Sequence, residues 1–212
     1  ETEFKLTDQI ITHDQKNYFA YSHRQWTINT FKFENLGLLE IEMQYTTSLL
    51  DIDVRNNSAW NQRFFVMKQL GKYDFILVKS EFNFTIDKIK KVTSNESAWN
   101  YLRGLLTTFG TKKLYQCMDD FIEYCEHELL ENKNCNAQIV AFLIEVKIEL
   151  ILDDVINDSI VNCRKLYELC MVMASRFDKI RMNYWKFIYK QFQYNKMMKR
   201  KAKKDDKKGG VT

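Results

Sequence analysis

Three segments of this chain repeat the same wording at one interval. They are Asn17-Tyr-Phe-Ala20-Tyr21-Ser-His-Arg24, Asn56-Asn-Ser-Ala59-Trp60-Asn-Gln-Arg63 and Asn95-Glu-Ser-Ala98-Trp99-Asn-Tyr-Leu102, each 39 residues after the last. A further step lands on Asn134-Cys-Asn-Ala137, with Gln138 in place of the aromatic. A fixed period of this length marks an array of supersecondary units that bury their faces against one another. Composition decides which kind. The chain of 212 residues has no proline and 6 glycines, where average usage gives roughly 15 glycines and 10 prolines. So few turn residues exclude a sandwich or a barrel with many tight hairpins. The expected fold is all-α: stacked antiparallel helical hairpins forming a right-handed-stacking alpha–alpha superhelix. The expected array spans 1–198, with motifs at 17–24, 56–63 and 95–102 and a degenerate copy at 134–141. Residues 199–212 read as a charged, disordered tail.

Each motif has a physical logic. Asn17, Asn56 and Asn95 are good N-caps, because the side-chain oxygen accepts from an unpaired backbone N–H. Ala20, Ala59 and Ala98 leave room for a neighbouring helix. Trp60 and Trp99 fill the layer between helices. Arg24 and Arg63 stand three residues beyond their aromatic, on the same helix face, where they stack or reach a carbonyl of the adjacent unit. The motif helix is taken as the first half of each unit. A second amphipathic helix follows it, as in Leu38, Ile41, Tyr45 and Leu49. Gly71 and Gly110 mark turns after motif helices. Helices are also expected over about 138–152, 158–175 and 178–198.

Net charge is +4, but residues 196–208 hold 8 basic and 2 acidic side chains. The body is slightly acidic without them, which argues against nucleic-acid binding by the folded part. No apolar run is long enough to span a membrane. The start, Glu1-Thr2-Glu3-Phe4-Lys5, is expected to be a cut into a longer protein. The five cysteines follow no CxxC spacing and read as free thiols of a cytoplasmic protein. Cys117, Cys125, His127 and Cys135 match no structural-zinc pattern. Asp119-Asp120 and Asp153-Asp154 read as solvated acids. There is no glycine-rich phosphate loop, nucleophile elbow or His-Glu-x-x-His.

The motif wording resembles that of the alpha subunit of protein farnesyltransferase and geranylgeranyltransferase type I, whose tandem repeat carries an Asn-x-x-Ala-Trp-x-x-Arg core. Ile180-Arg181-x-x-Tyr184-Trp185 is similar to that family's last helix. The resemblance covers about residues 1–192. It implies a crescent of helical hairpins wrapped around a zinc-bearing beta subunit. The heterodimer attaches a farnesyl or geranylgeranyl group, from its diphosphate, to the cysteine of a C-terminal CaaX sequence. Zinc and magnesium are implied in the heterodimer, with no cofactor in this chain. Position by position, Tyr18 matches a tyrosine that approaches the diphosphate. Phe19 stands where the mammalian-type motif has a histidine. Asn17, His23 and Arg24 would lie near substrate or the beta subunit. The family's diphosphate lysine and peptide-carboxylate glutamine belong to a repeat expected before Asn17. The residues alone favour an aromatic packing across a subunit interface for Tyr18, and helix-to-helix or alpha-to-beta contacts for His23 and Arg24. The alternative reading is a non-catalytic helical-repeat scaffold that binds a protein partner.

Overall fold

The computed structural model describes residues 2–31, 36–70, 75–131 and 135–209, and within them ten α-helices and no strand. The chain divides into two compact units, Glu1–Gly110 and Thr111–Thr212.

In the first unit α1 (Thr2–His13) pairs with α2 (Tyr18–Phe31), α3 (Leu36–Ile52) with α4 (Asn57–Leu70), and α5 (Phe75–Lys91) with α6 (Glu96–Phe109). The motif helix is therefore the second helix of each hairpin, not the first. The reason is the tight turn before it, closed by Asn17 N donating to Asp14 O (3.1 Å), Asn56 N to Asp53 O (3.0 Å) and Asn95 N to Val92 O (3.0 Å). The motif helices α2, α4 and α6 also pack on one another in succession. Ala20, Ala59, Ala98, Trp60 and Trp99 are all buried. A Cβ on Gly104 would come within 2.8 Å of the Phe64 ring, so its bare backbone lets α4 lay that ring against α6. Gly110 ends α6 at φ 94°, with its N–H on Leu106 O at 2.8 Å. Gly71 lies outside the described residues.

Two of the three asparagines cap their own helix. Asn17 Oδ1 accepts from Ala20 N (3.0 Å) and Asn56 Oδ1 from Ala59 N (3.1 Å). Asn95 makes no side-chain cap bond, which corrects the reading of it as a cap. Its amide instead reaches back to the preceding hairpin, as described below.

The second unit pairs α7 (Thr111–Glu131) with α8 (Ala137–Leu152), then packs α9 (Ile160–Val172) on α8 and α10 (Met182–Gly209) on α9. Ile139 through Ile144 are buried without interruption, so the first half of α8 is covered on every side and α8 forms the centre of this unit. Its cap is Asn136, whose Oδ1 accepts from Gln138 N (2.9 Å) and Ile139 N (3.3 Å). Asn134, the start of the expected fourth motif, lies outside the described residues. α8 ends in a Schellman turn. Asp154 takes φ 57°, with Asp154 N on Ile151 O (3.2 Å) and Val155 N on Leu150 O (2.9 Å). α9 runs into a π-helical turn, Met173–Phe177.

The tail corrects the sequence reading. α10 continues past 198 to Gly209 instead of leaving the fold as an irregular segment. Lys199 and Lys203, one helical turn apart, reach Asp154 at 3.0 and 2.7 Å. Arg200 Nε donates to Asp158 at 3.0 Å. Hydrogen bonds from Lys203 and Lys199 hold the Asp154 carboxyl below the usual range, and Arg200 does the same for Asp158. Asp154 is thus paired with α10, where the sequence reading left it solvated.

Candidate functional site

The motif residues build a network that repeats with the sequence. Tyr21 OH, Trp60 Nε1 and Trp99 Nε1 each donate to the carbonyl six residues earlier, in the turn: Gln15 (3.1 Å), Val54 (2.8 Å) and Thr93 (2.7 Å). The next hairpin uses the same oxygen. Asn56 Nδ2 donates to Gln15 O (3.1 Å) and Asn95 Nδ2 to Val54 O (2.7 Å), each across 41 residues. A carbonyl has two lone pairs, and here one serves its own hairpin and the other the following one. Burial pushes the Tyr21 phenol up to about 12.

The arginines do the same with charge. Arg24 Nε donates to Glu42 at 2.9 Å while another of its nitrogens donates to Thr7 Oγ1, also at 2.9 Å. Arg63 donates twice to Glu81, at 2.5 and 2.8 Å, and also to Thr47 Oγ1 (2.7 Å), Thr46 Oγ1 (3.1 Å) and the Met43 carbonyl (3.0 Å). The guanidinium carbons lie 4.1 Å from the Tyr45 ring centre and 4.0 Å from that of Phe84. All four charged groups are buried. Burial opposes the charge on Arg24, but the Glu42 hydrogen bond and the Glu42 and Asp8 charges together more than offset it and raise the pKa. The residues favour Arg24 as a brace between helices, and its guanidinium is held inside the stack by Glu42 and Thr7.

Glu42 and Glu81 also take a second donor from the motif helix of their own hairpin, and Glu3 takes a partner from the same place. Gln62 Nε2 donates to Glu42 (2.7 Å), Tyr101 OH donates to Glu81 (2.7 Å), and His23 Nε2 meets Glu3 (2.7 Å). Glu3, Glu42 and Glu81 are 39 apart, as are Thr7, Thr46 and Thr85. Sequence reasoning missed them because it sought the period in the motif helices alone. Applying the same step to the partner helix finds them.

The remaining site residues are on the surface. Tyr18 and Phe19 open α2 at 74% and 80% exposed, edge to face at 5.8 Å between ring centres. His23 stacks on the exposed Trp26 at 5.5 Å. The second and third repeats carry Asn57, Ser58 and Phe65, then Glu96, Ser97 and Gly104, at the positions of Tyr18, Phe19 and Trp26. The aromatic surface therefore belongs to the first hairpin. Asn17 lies behind it, with its amide on Asp14 (3.2 Å). Near the C-terminal end, Trp185 is buried and donates to Asp178 at 2.8 Å. Among the described residues, no group of three or more His, Cys, Asp or Glu side chains is placed to hold a metal ion. No described helix is long and apolar enough to cross a membrane.

Fold and network together define a tandem helical-hairpin protein whose hairpins are joined by buried arginine–glutamate pairs. The family model for the protein prenyltransferase alpha subunit repeat matches residues 1–31, 39–70 and 78–109, one match per hairpin of the first unit. Residues 1–109 carry the repeats of this family. Among solved structures it is similar to a chain of Candida albicans protein geranylgeranyltransferase-I complexed with GGPP, with a TM-score of 0.67 and 23% identity. That similarity, one of fold, covers 90% of this chain and 58% of the Candida chain. No curated protein sequence matches.

Proposed function

We propose that this chain is the alpha subunit of a heterodimeric CaaX protein prenyltransferase. The heterodimer transfers a farnesyl or geranylgeranyl group from its diphosphate to a C-terminal cysteine of target proteins in the cytoplasm. The observation that carries this reading is the three-fold hairpin network, matched hairpin by hairpin by the prenyltransferase alpha repeat. The chain's share is scaffold and beta-subunit interface. We assign zinc to the beta subunit, where it would lower the pKa of the CaaX cysteine thiol, and magnesium to the diphosphate.

Tyr18 is the residue of this chain assigned to the chemistry. Its exposed position at the first turn of α2 lets the phenol donate to charge that builds as diphosphate departs. Phe19 and Trp26 offer apolar contact beside it, to the isoprenoid or the partner.

Co-expression with a candidate beta subunit tests the reading. The expected result is a complex containing zinc that prenylates a CaaX peptide, while the chain alone transfers nothing. In that complex Tyr18→Phe should slow single-turnover chemistry about 10-fold or more while leaving isoprenoid affinity nearly intact. An unchanged chemical step returns Tyr18 to interface packing. Failure to capture any zinc-containing partner favours the non-catalytic scaffold.

A further inference from the structure

The outward face of α10 is used neither by the repeat network nor by the proposed transfer. α10 anchors on its own unit through Trp185 and Phe192, both buried. Tyr184, Phe187, Tyr194 and Met198 point the other way and are exposed, Phe187 and Tyr194 at 54% each. Their helical spacing keeps them in one stripe, about 21 Å long at a rise of about 1.5 Å per residue.

Cations border this stripe. Between Met182 and Lys204 the sequence has no carboxylate. Lys196, Lys199, Arg200 and Lys203 are matched to Asp154 and Asp158. Lys186, Lys190 and Lys201 are exposed and make no ion pair among the described residues. Lys190 and Lys201 stand about three helical turns apart, so they mark the same margin of the stripe.

These two features together select the occupant. A protein groove would take the Tyr184 and Tyr194 hydroxyls out of water along with their rings. A lipid headgroup layer offers the ring an apolar side and the hydroxyl a wet one. Lysine stems lie along the apolar surface while their ammonium groups reach lipid phosphates. Cations left without a carboxylate are drawn to an anionic leaflet and not to a neutral one. A helix with aromatics along one side and lysines at its margin has the make-up of one that lies in the plane of the interface.

We propose that the outward face of α10 docks on an anionic lipid surface. Phe187, Tyr194 and Met198 enter the headgroup layer, and Lys186, Lys190 and Lys201 meet the lipid phosphates. The docking belongs to the second unit alone and does not depend on the transfer reading above.

The test uses the purified full chain, with any subunit that accompanies it, and vesicles of phosphatidylcholine alone or mixed with phosphatidylserine. Co-sedimentation should show binding to the mixed vesicles at low salt, little to phosphatidylcholine alone, and release by added salt. Lys190→Gln and Lys201→Gln should each weaken binding about 5-fold. Phe187→Ser with Tyr194→Ser leaves the charge unchanged and should weaken binding about 10-fold or more. Thermal melts of the same variants should stay close to the parent, since all four side chains are exposed. Full vesicle binding by the Phe187–Tyr194 variant reduces the contact to charge alone and overturns the proposal, as does equal binding to both vesicles or to neither. Self-association that this variant abolishes, or loss of vesicle binding when the accompanying subunit is present, gives the stripe to a protein partner and overturns it as well.

Discussion

Arg63 on α4 holds Glu81 on α5 through two hydrogen bonds, 2.5 and 2.8 Å long, with both groups buried. Two charges so placed have given up their water, so each depends on the other. Arg63→Met should cost about 3–5 kcal/mol, because it strands the Glu81 carboxylate. Arg63→Met with Glu81→Leu should recover much of that loss. Urea unfolding of the two single variants and the double variant gives the coupling energy. A double variant no more stable than the worse single one contradicts this account.

Trp60 combines packing with one polar bond. Trp60→Ala should destabilise the chain by about 3–5 kcal/mol through the cavity it leaves. Trp60→Phe retains most of the ring and loses the bond to Val54. It should cost less than alanine, since Asn95 still donates to that carbonyl. Thermal unfolding of both variants orders them, and an exposed, dispensable Trp60 would show nearly equal stabilities.

Asp178 makes the second unit sensitive to acid. The hydrogen bond from Trp185, with the Arg181 backbone and charge, lowers its pKa below the ordinary carboxylate value. The stabilisation is complete above about pH 4 and is lost as pH falls through the lowered folded value. Melting temperatures between pH 6 and 2 should fall less steeply for Asp178→Asn than for the parent. Trp185 emission should shift over the same acid range in the parent.

Removing residues 199–212 tests the ion pairs of α10. The pairs are largely exposed, so the lost stability should be small at low salt and should vanish in 1 M salt. A drop that persists at high salt would place apolar packing, not charge, in that last stretch. Helical content by circular dichroism should fall with the truncation in either case.

The sequence made the hairpin positions plain, because Asn, Ala and Trp recur at fixed places and each has one structural task. It did not fix the phase of the repeat, and the motif helix was placed first in each unit where it is second. A period of 39 is unchanged by sliding the frame, and only the turns at Asp14, Asp53 and Val92 show which helices are paired. Arg24 was ambiguous for a related reason. A motif arginine reads alike as a ligand contact or an internal brace until Glu42 is seen across from it. α10 escaped notice beyond 198 because its Lys, Arg and Ala residues favour helix without an apolar stripe. Its partners are two aspartates about 40 residues earlier. At the candidate site, Tyr18 and Phe19 were found by resemblance. Their exposure depends on which face α2 turns outward, and the local wording does not say.

The turn oxygens of Gln15 and Val54 carry one more consequence. Each is shared between the hairpin that owns it and the hairpin that follows. Glu42 and Glu81, in turn, answer arginines of the hairpin before. A hairpin that loosens therefore exposes unpaired groups on both of its neighbours. Coupling between units then outweighs what any one unit contributes alone. Residues 2–110 should consequently melt in a single sharp step, with calorimetric and van't Hoff enthalpies in agreement, where an array held only by greasy faces frays gradually from its ends.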